Sequence, residues 1–237
     1  MSVLFPKWMN FLPTLGAFGG LGGLAFVSFG GWYWLTPDFF EVGYMPRQPE
    51  SGFNHQLHAG KLGIDCRYCH THVERSPEAN IPNVATCIGC HMNGRLSAEV
   101  EDRIGEKVKF IRAAYEEDKS IEWRRVHKLP DYVRNFPHNV HVKAGVSCFS
   151  CHGQIAGMPI VYQHEGLGMG WCLKCHRDIK GEHANPENHL VPHDKVTKLV
   201  WVEREWFSKP ADHAEQAKRI ADSIKTEPPE NCGACHY

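Results

Sequence analysis

Ten cysteines and five of the sixteen histidines in this 237-residue chain fall into one motif repeated five times. The copies are Cys66–Cys69–His70, Cys87–Cys90–His91, Cys148–Cys151–His152, Cys172–Cys175–His176 and Cys232–Cys235–His236, and no cysteine is left over. On a helical turn the three side chains of Cys-x-x-Cys-His fall at i, i+3 and i+4 and share one face. Two thiols and an imidazole so placed can hold the edge of a flat macrocycle by thioethers and ligate its iron from one side. That is the attachment chemistry of c-type haem. Zinc is the competing chemistry, since 17 residues separate Cys69 from Cys87 and 20 separate Cys151 from Cys172, close to a ribbon spacing. A ribbon does not require a histidine after every second cysteine, and it leaves the fifth pair without a partner. The expectation is five covalently bound haem c groups, with His70, His91, His152, His176 and His236 as proximal iron ligands.

The elements that must position these motifs are sparse. The chain reads as mostly helix and loop with little strand, organised around its haems. Ala98 to Tyr115 carries Val100, Ile104, Val108, Ile111 and Tyr115 at helical period, and Ala211 to Ile224 predicts a second helix stopped before Pro228. A repeat links the first four motifs. Phe53-x-His55-x-x-His58 precedes Cys66, and Phe136-x-His138-x-x-His141 precedes Cys148. The first histidine stands 11 residues before the first cysteine in one copy and 10 in the other. The chain therefore divides into an N-terminal tip and anchor (1–37), a linker (38–52), a first two-haem module (53–91) and a connecting helical segment (92–135). A second two-haem module (136–176) and a C-terminal segment with the fifth motif (177–237) follow.

Trp8 to Pro37 carries no charged side chain, and Gly16 to Leu35 is close to the 20 residues that span a bilayer. Its apolar run is longer than that of a signal peptide, and it ends in Trp32, Tyr33 and Trp34, which read as an interfacial belt. A retained transmembrane helix is expected. Gly16 with Gly20, and Gly19 with Gly23, have the spacing of close helix–helix contacts in membranes. Lys7 before the span, with Asp38 and Glu41 after it, places the N-terminus on the cytoplasmic side. Covalent haem attachment on the oxidising side puts the remainder in the periplasm. Lys and Arg (26) nearly balance Asp and Glu (27), so no basic stripe points to nucleic acid.

The Phe-x-His-x-x-His repeat resembles class III multihaem cytochromes. Longer runs, LGIDCRYCHTHVERSP, IEWRRVHKLPDYVRNFPHNVHVKAGVSCFSCHGQI and MGWCLKCHRD, resemble the pentahaem cytochrome subunit of alternative complex III, a bacterial membrane quinol oxidoreductase. The resemblance covers nearly the whole chain. It implies one N-terminal span and five periplasmic haems. It also implies three kinds of partner: polytopic quinol-binding membrane subunits, an iron–sulfur/molybdopterin-like subunit, and a monohaem cytochrome or other periplasmic carrier. In the class III pattern the first histidine of each repeat caps the haem just downstream and the second caps a neighbour. His55, His58, His138 and His141 are then distal ligands, and His127, in the family-like WRRVHKLPD run, is the fifth.

Met158 competes for one site, standing 14 residues before Cys172 much as His72 stands 15 before Cys87. Met169, His72 and His164 are weaker distal candidates, while His183, His189, His193 and His213 read as surface or outer groups. Saturated haems pass electrons rather than transform substrates. The function expected is electron transfer from quinol oxidation to a periplasmic acceptor, with no catalytic residues of its own. A stand-alone quinol dehydrogenase is the alternative, and a multihaem reductase, which would need an open haem, comes after it. The intact mass of the denatured chain should exceed the polypeptide mass by five haems; an excess of four or fewer, or retained zinc, would contradict the reading.

Overall fold

The protein is described by a computed structural model covering residues 6–35, 42–45, 52–129, 133, 136–179 and 190–236. Expectations for Asp38, Glu41, Pro46–Ser51, His183 and His189 lie outside the described residues. Among the described residues the secondary structure is helical, with two isolated antiparallel bridges (Val133 with His236, Val146 with Leu190) and no strand.

A short 3-10 turn, Lys7–Phe11, leads into α1, Leu12–Leu35. The apolar run Lys7–Tyr33 is 27 residues long and buries none of its surface in the protein, so by length and composition it can cross a membrane. The residues after it are pinned to the haem-motif region rather than merely linking it. The Gln163 carbonyl accepts from Gly43 N–H (2.7 Å), and its own N–H donates to the Tyr44 carbonyl (3.2 Å). Lys128 sets its ammonium 4.5 Å from the centre of the Tyr44 ring.

Each motif sits on a short helix, and three of the five have their start fixed by a side-chain cap. In α2 (Cys66–Cys69), α3 (Val84–His91) and the later Cys148–His152 helix, Asp65, Asn83 and Ser147 accept backbone N–H groups as N-caps. α4 (Ala98–Glu116), capped by Ser97, is the helix expected over 98–115. It packs Val108 and its neighbours toward α3, where Val84 and Ile88 are buried. Tyr115, in its last turn, is exposed.

The two histidine pairs stand on different backbones. His138 and His141 occupy an α-helical turn, α5 (His138–Lys143), whereas the first pair lies at a π-helical turn, Gln56–Lys61. A π turn takes up one extra residue, in keeping with His55 standing 11 residues before Cys66 while His138 stands 10 before Cys148. Gly60 is required there, because a Cβ at that position would meet the Ala156 carbonyl oxygen at 2.2 Å. The modules thus touch backbone to backbone.

α6 (Cys148–His152) and α7 (Met169–Arg177) carry the third and fourth motifs, and α8 (His213–Ser223) matches the helix expected near 211–224. α8 closes a small apolar core of Val191, Val196, Val202, Trp206 and Ala217, with Phe149 and Ile220 against it. The last motif forms α9, Cys232–Cys235.

One turn, 195–198, ties the C-terminal segment to the first motif. Thr197 donates its hydroxyl to Asp65 (3.2 Å) and Lys198 approaches the same carboxylate at 3.4 Å, while Arg67 pairs with it at 2.9 Å. Arg67 first, then Lys198, hold the Asp65 carboxyl well below the usual carboxylate range against partial burial. A depressed carboxyl stabilises the fold fully above its unfolded value near pH 4, and that stabilisation is lost as pH falls below it. Asp65→Asn should cost about 1 kcal/mol near neutrality, the size of a partly screened charge-assisted contact. It should cost less as the pH of a denaturation series is lowered through 4; an equal loss at every pH would remove the electrostatic account.

Candidate haem-ligand site

A ring gives a metal its lone pair only if it is neutral, and it is held aimed at the metal where a hydrogen bond fixes its other nitrogen. Five histidines meet the second condition through backbone carbonyls, which can only accept, so Nδ1 carries the proton and Nε2 the lone pair. His70 donates to the Asn80 carbonyl (2.6 Å), His58 to Asn54 (2.9 Å), His138 to Pro77 (2.8 Å), His141 to Pro137 (2.9 Å) and His176 to Pro229 (2.7 Å). Burial meets the first condition elsewhere. It pushes His55 and His127 down to about 4, pushes His152 well down, and lowers His91 and His141.

The rings pair across gaps of one size. His58 and His91 have centroids 6.1 Å apart, His141 and His176 6.2 Å, and His138 and His152 6.5 Å with planes only 12° apart. With a nitrogen about 2 Å from a ligated metal and about 1 Å from its own ring centre, two axial imidazoles on one ion hold their centroids roughly 6 Å apart. The residues present therefore fit a six-coordinate haem iron at these three positions. His55 lies close enough to His70 for that ring's charge to depress it further, after burial.

The same architecture appears twice. Phe53 lies edge-on to His55 (4.7 Å, 85°) and stacks on His58 (4.4 Å, 26°), and Phe136 does the same to His138 (4.9 Å, 89°) and His141 (4.5 Å, 24°). In both copies the carbonyl four residues before the second histidine fixes its ring. Spacing alone put Phe53 and Phe136 in the repeat; their stacking role and the carbonyls at Asn54 and Pro137 emerge only with the fold. Arg112 is another addition. Its guanidinium donates to the His91 carbonyl (2.7 Å) and pairs with Glu101 (2.6 Å), clamping the second motif onto α4.

The remaining candidates are dispersed. His127 lies edge-on to His152 at 4.2 Å, nearer than the paired rings, with its Nε2 buried without a hydrogen-bond partner. Met158 is buried, and its carbonyl accepts from Gln56 N–H (3.1 Å), so it lies beside the first histidine pair. Met169 is exposed at the start of α7, and His72 is exposed in the turn after the first motif. His164 packs its ring against Gly153, where φ is +63° and a Cβ would meet the imidazole at 2.5 Å. Only glycine fits that position, directly after His152. His213 packs against Trp206 at 4.3 Å with its ring tilted by 49°, and His193 is exposed.

All ten thiols are free of disulfides, which leaves them available for thioether formation. Burial pushes Cys148 and Cys151 up to about 12. Replacing His58 with Ala should turn one low-spin haem five-coordinate, visible in electronic and paramagnetic resonance spectra, with His141→Ala doing the same to another. Unchanged low-spin signals in both variants would refute the pairing.

No family model matches the chain. It is 26% identical over 182 residues to the multihaem cytochrome c subunit of a menaquinone reductase from Nitratidesulfovibrio vulgaris, a match covering 76% of this chain and 75% of that protein. The likeness is to a multihaem cytochrome subunit of a quinone-linked enzyme.

Proposed function

We propose that the chain is the pentahaem c-type cytochrome subunit of a membrane quinol-oxidising complex of the alternative complex III kind, passing electrons to a periplasmic acceptor. The observation that carries this reading is the set of imidazole pairs at 6.1 to 6.5 Å, each joining a motif histidine to one on a histidine-pair turn. Bound haem supplies reversible one-electron chemistry, and imidazoles on both faces leave no position for substrate. The chain's own work would be to hold the irons and to aim each ligand ring, five of them through backbone carbonyls at Nδ1. His55, His58, His138 and His141 serve as distal ligands, and His127, whose Nε2 is buried without a hydrogen-bond partner, completes the set.

α1 anchors the subunit, its paired glycines packing against polytopic quinol-binding subunits, with the motifs in the periplasm beside an iron–sulfur/molybdopterin-like subunit. A monohaem cytochrome or similar carrier takes the electrons onward. The relative's name favours a second reading, in which the same path runs the other way and delivers electrons to menaquinone. Direction then depends on the potentials of the partners.

The isolated chain should equilibrate electrons rapidly among its haems after a reductive pulse, yet oxidise quinol no faster than a haem-free control. Sustained quinol turnover by the purified single chain would replace this reading with a stand-alone dehydrogenase.

A further inference from the structure

We propose that the five motif sites lie in space in the order second, first, third, fourth, fifth, so that the first is an interior junction and the second is one end of the path. The proposal rests on the five-haem reading above and adds the route between the sites.

The junction between the modules carries the argument. The first cysteines of motifs one and three hang on neighbouring peptide units. Val196 accepts at its carbonyl from Cys148 N–H (3.4 Å), and the Thr197 carbonyl lies 3.8 Å from the Cys66 sulfur. Consecutive Cα atoms are about 3.8 Å apart, so the two attachment points share one short stretch of chain. On the far side, the turn after motif one seats α5. His138 donates both its backbone N–H (3.0 Å) and its Nδ1–H (2.8 Å) to the Pro77 carbonyl, and Asn139 N–H reaches the Ser76 carbonyl (3.3 Å). The ligand expected for the third site is therefore held by the segment leaving the first.

The other links follow. His55 and His58 stand on one turn, and His58 faces His91, so the second site adjoins the first. His138 and His141 share α5 and face His152 and His176, so the third adjoins the fourth. His176 donates to the Pro229 carbonyl (2.7 Å) and Arg177 pairs with Glu230 (3.0 Å), just before Cys232, so the fourth adjoins the fifth.

Each transfer along this path is one electron, leaving a ferrous iron ferric and making the next one ferrous. Electrons cross between modules through sites one and three, and sites two and five are the ends. The test is proton NMR of the fully reduced, full-length protein in detergent micelles, with each macrocycle assigned through contacts to its own ligand histidines. Nuclear Overhauser contacts between porphyrin substituents should join haems one and two, one and three, three and four, and four and five. A contact between two and three, with none between one and three, would overturn the order while leaving a five-haem chain intact. An intact mass short of five haems would instead overturn the haem reading itself, so the two failures are distinguishable.

Discussion

A neutral imidazole with its far nitrogen occupied is the constraint on which this structure depends. A protonated ring has no lone pair for iron, and a ring free to turn cannot aim the one it has. The fold meets both demands with the cheapest material available, main-chain carbonyls and burial. Asn80, Asn54, Pro77, Pro137 and Pro229 contribute only carbonyl oxygens to the rings, yet they set which nitrogen of five histidines points into the gap. Three of the five are prolines, which have no N–H and so present an acceptor alone.

That reliance explains the low content of regular structure. One apolar cluster gathers around Trp206 in the C-terminal segment, and a smaller buried patch, Val84, Ile88 and Val108, lies between α3 and α4. Elsewhere, short helical turns carry the cysteines and histidines. The duplicated Phe-x-His-x-x-His unit shows how tolerant such a scheme is. One copy is α-helical and the other π-helical, yet phenylalanine and histidine rings meet within a few tenths of an ångström of the same distances. The rings, not the backbone class, are what the repeat preserves.

The sequence showed much of this because the chemistry is local. Cys-x-x-Cys-His needs only one helical turn, and its first cysteine follows a residue such as Asp65 or Ser147 that caps the turn. The helices Ala98–Glu116 and His213–Ser223 were legible from period, and the extra residue before Cys66 foreshadowed the π turn. What stayed hidden are pairings over long separations. Nothing near Cys66 announces that Thr197 will lie against its sulfur, 131 positions away. His127 was read from its surrounding run as a distal ligand, and only the fold sets it edge-on to His152. Arg112 looked like any charged residue of an amphipathic helix until its reach to His91 appeared.

Gln163 has a mechanical consequence. Fully buried, it spends its side-chain oxygen on Lys128 N–H (3.2 Å) and its side-chain nitrogen on the Glu165 carbonyl (3.0 Å), while its backbone grips Gly43 and Tyr44. The grip moves the effective attachment of the anchor from Phe53 back to Val42. Seven peptide units join Leu35 to Val42, and a fully extended chain covers at most about 3.6 Å per residue, so the leash is no longer than about 25 Å. A domain on so short a leash stays within reach of the end of the apolar helix, and any partner it meets must come to it there.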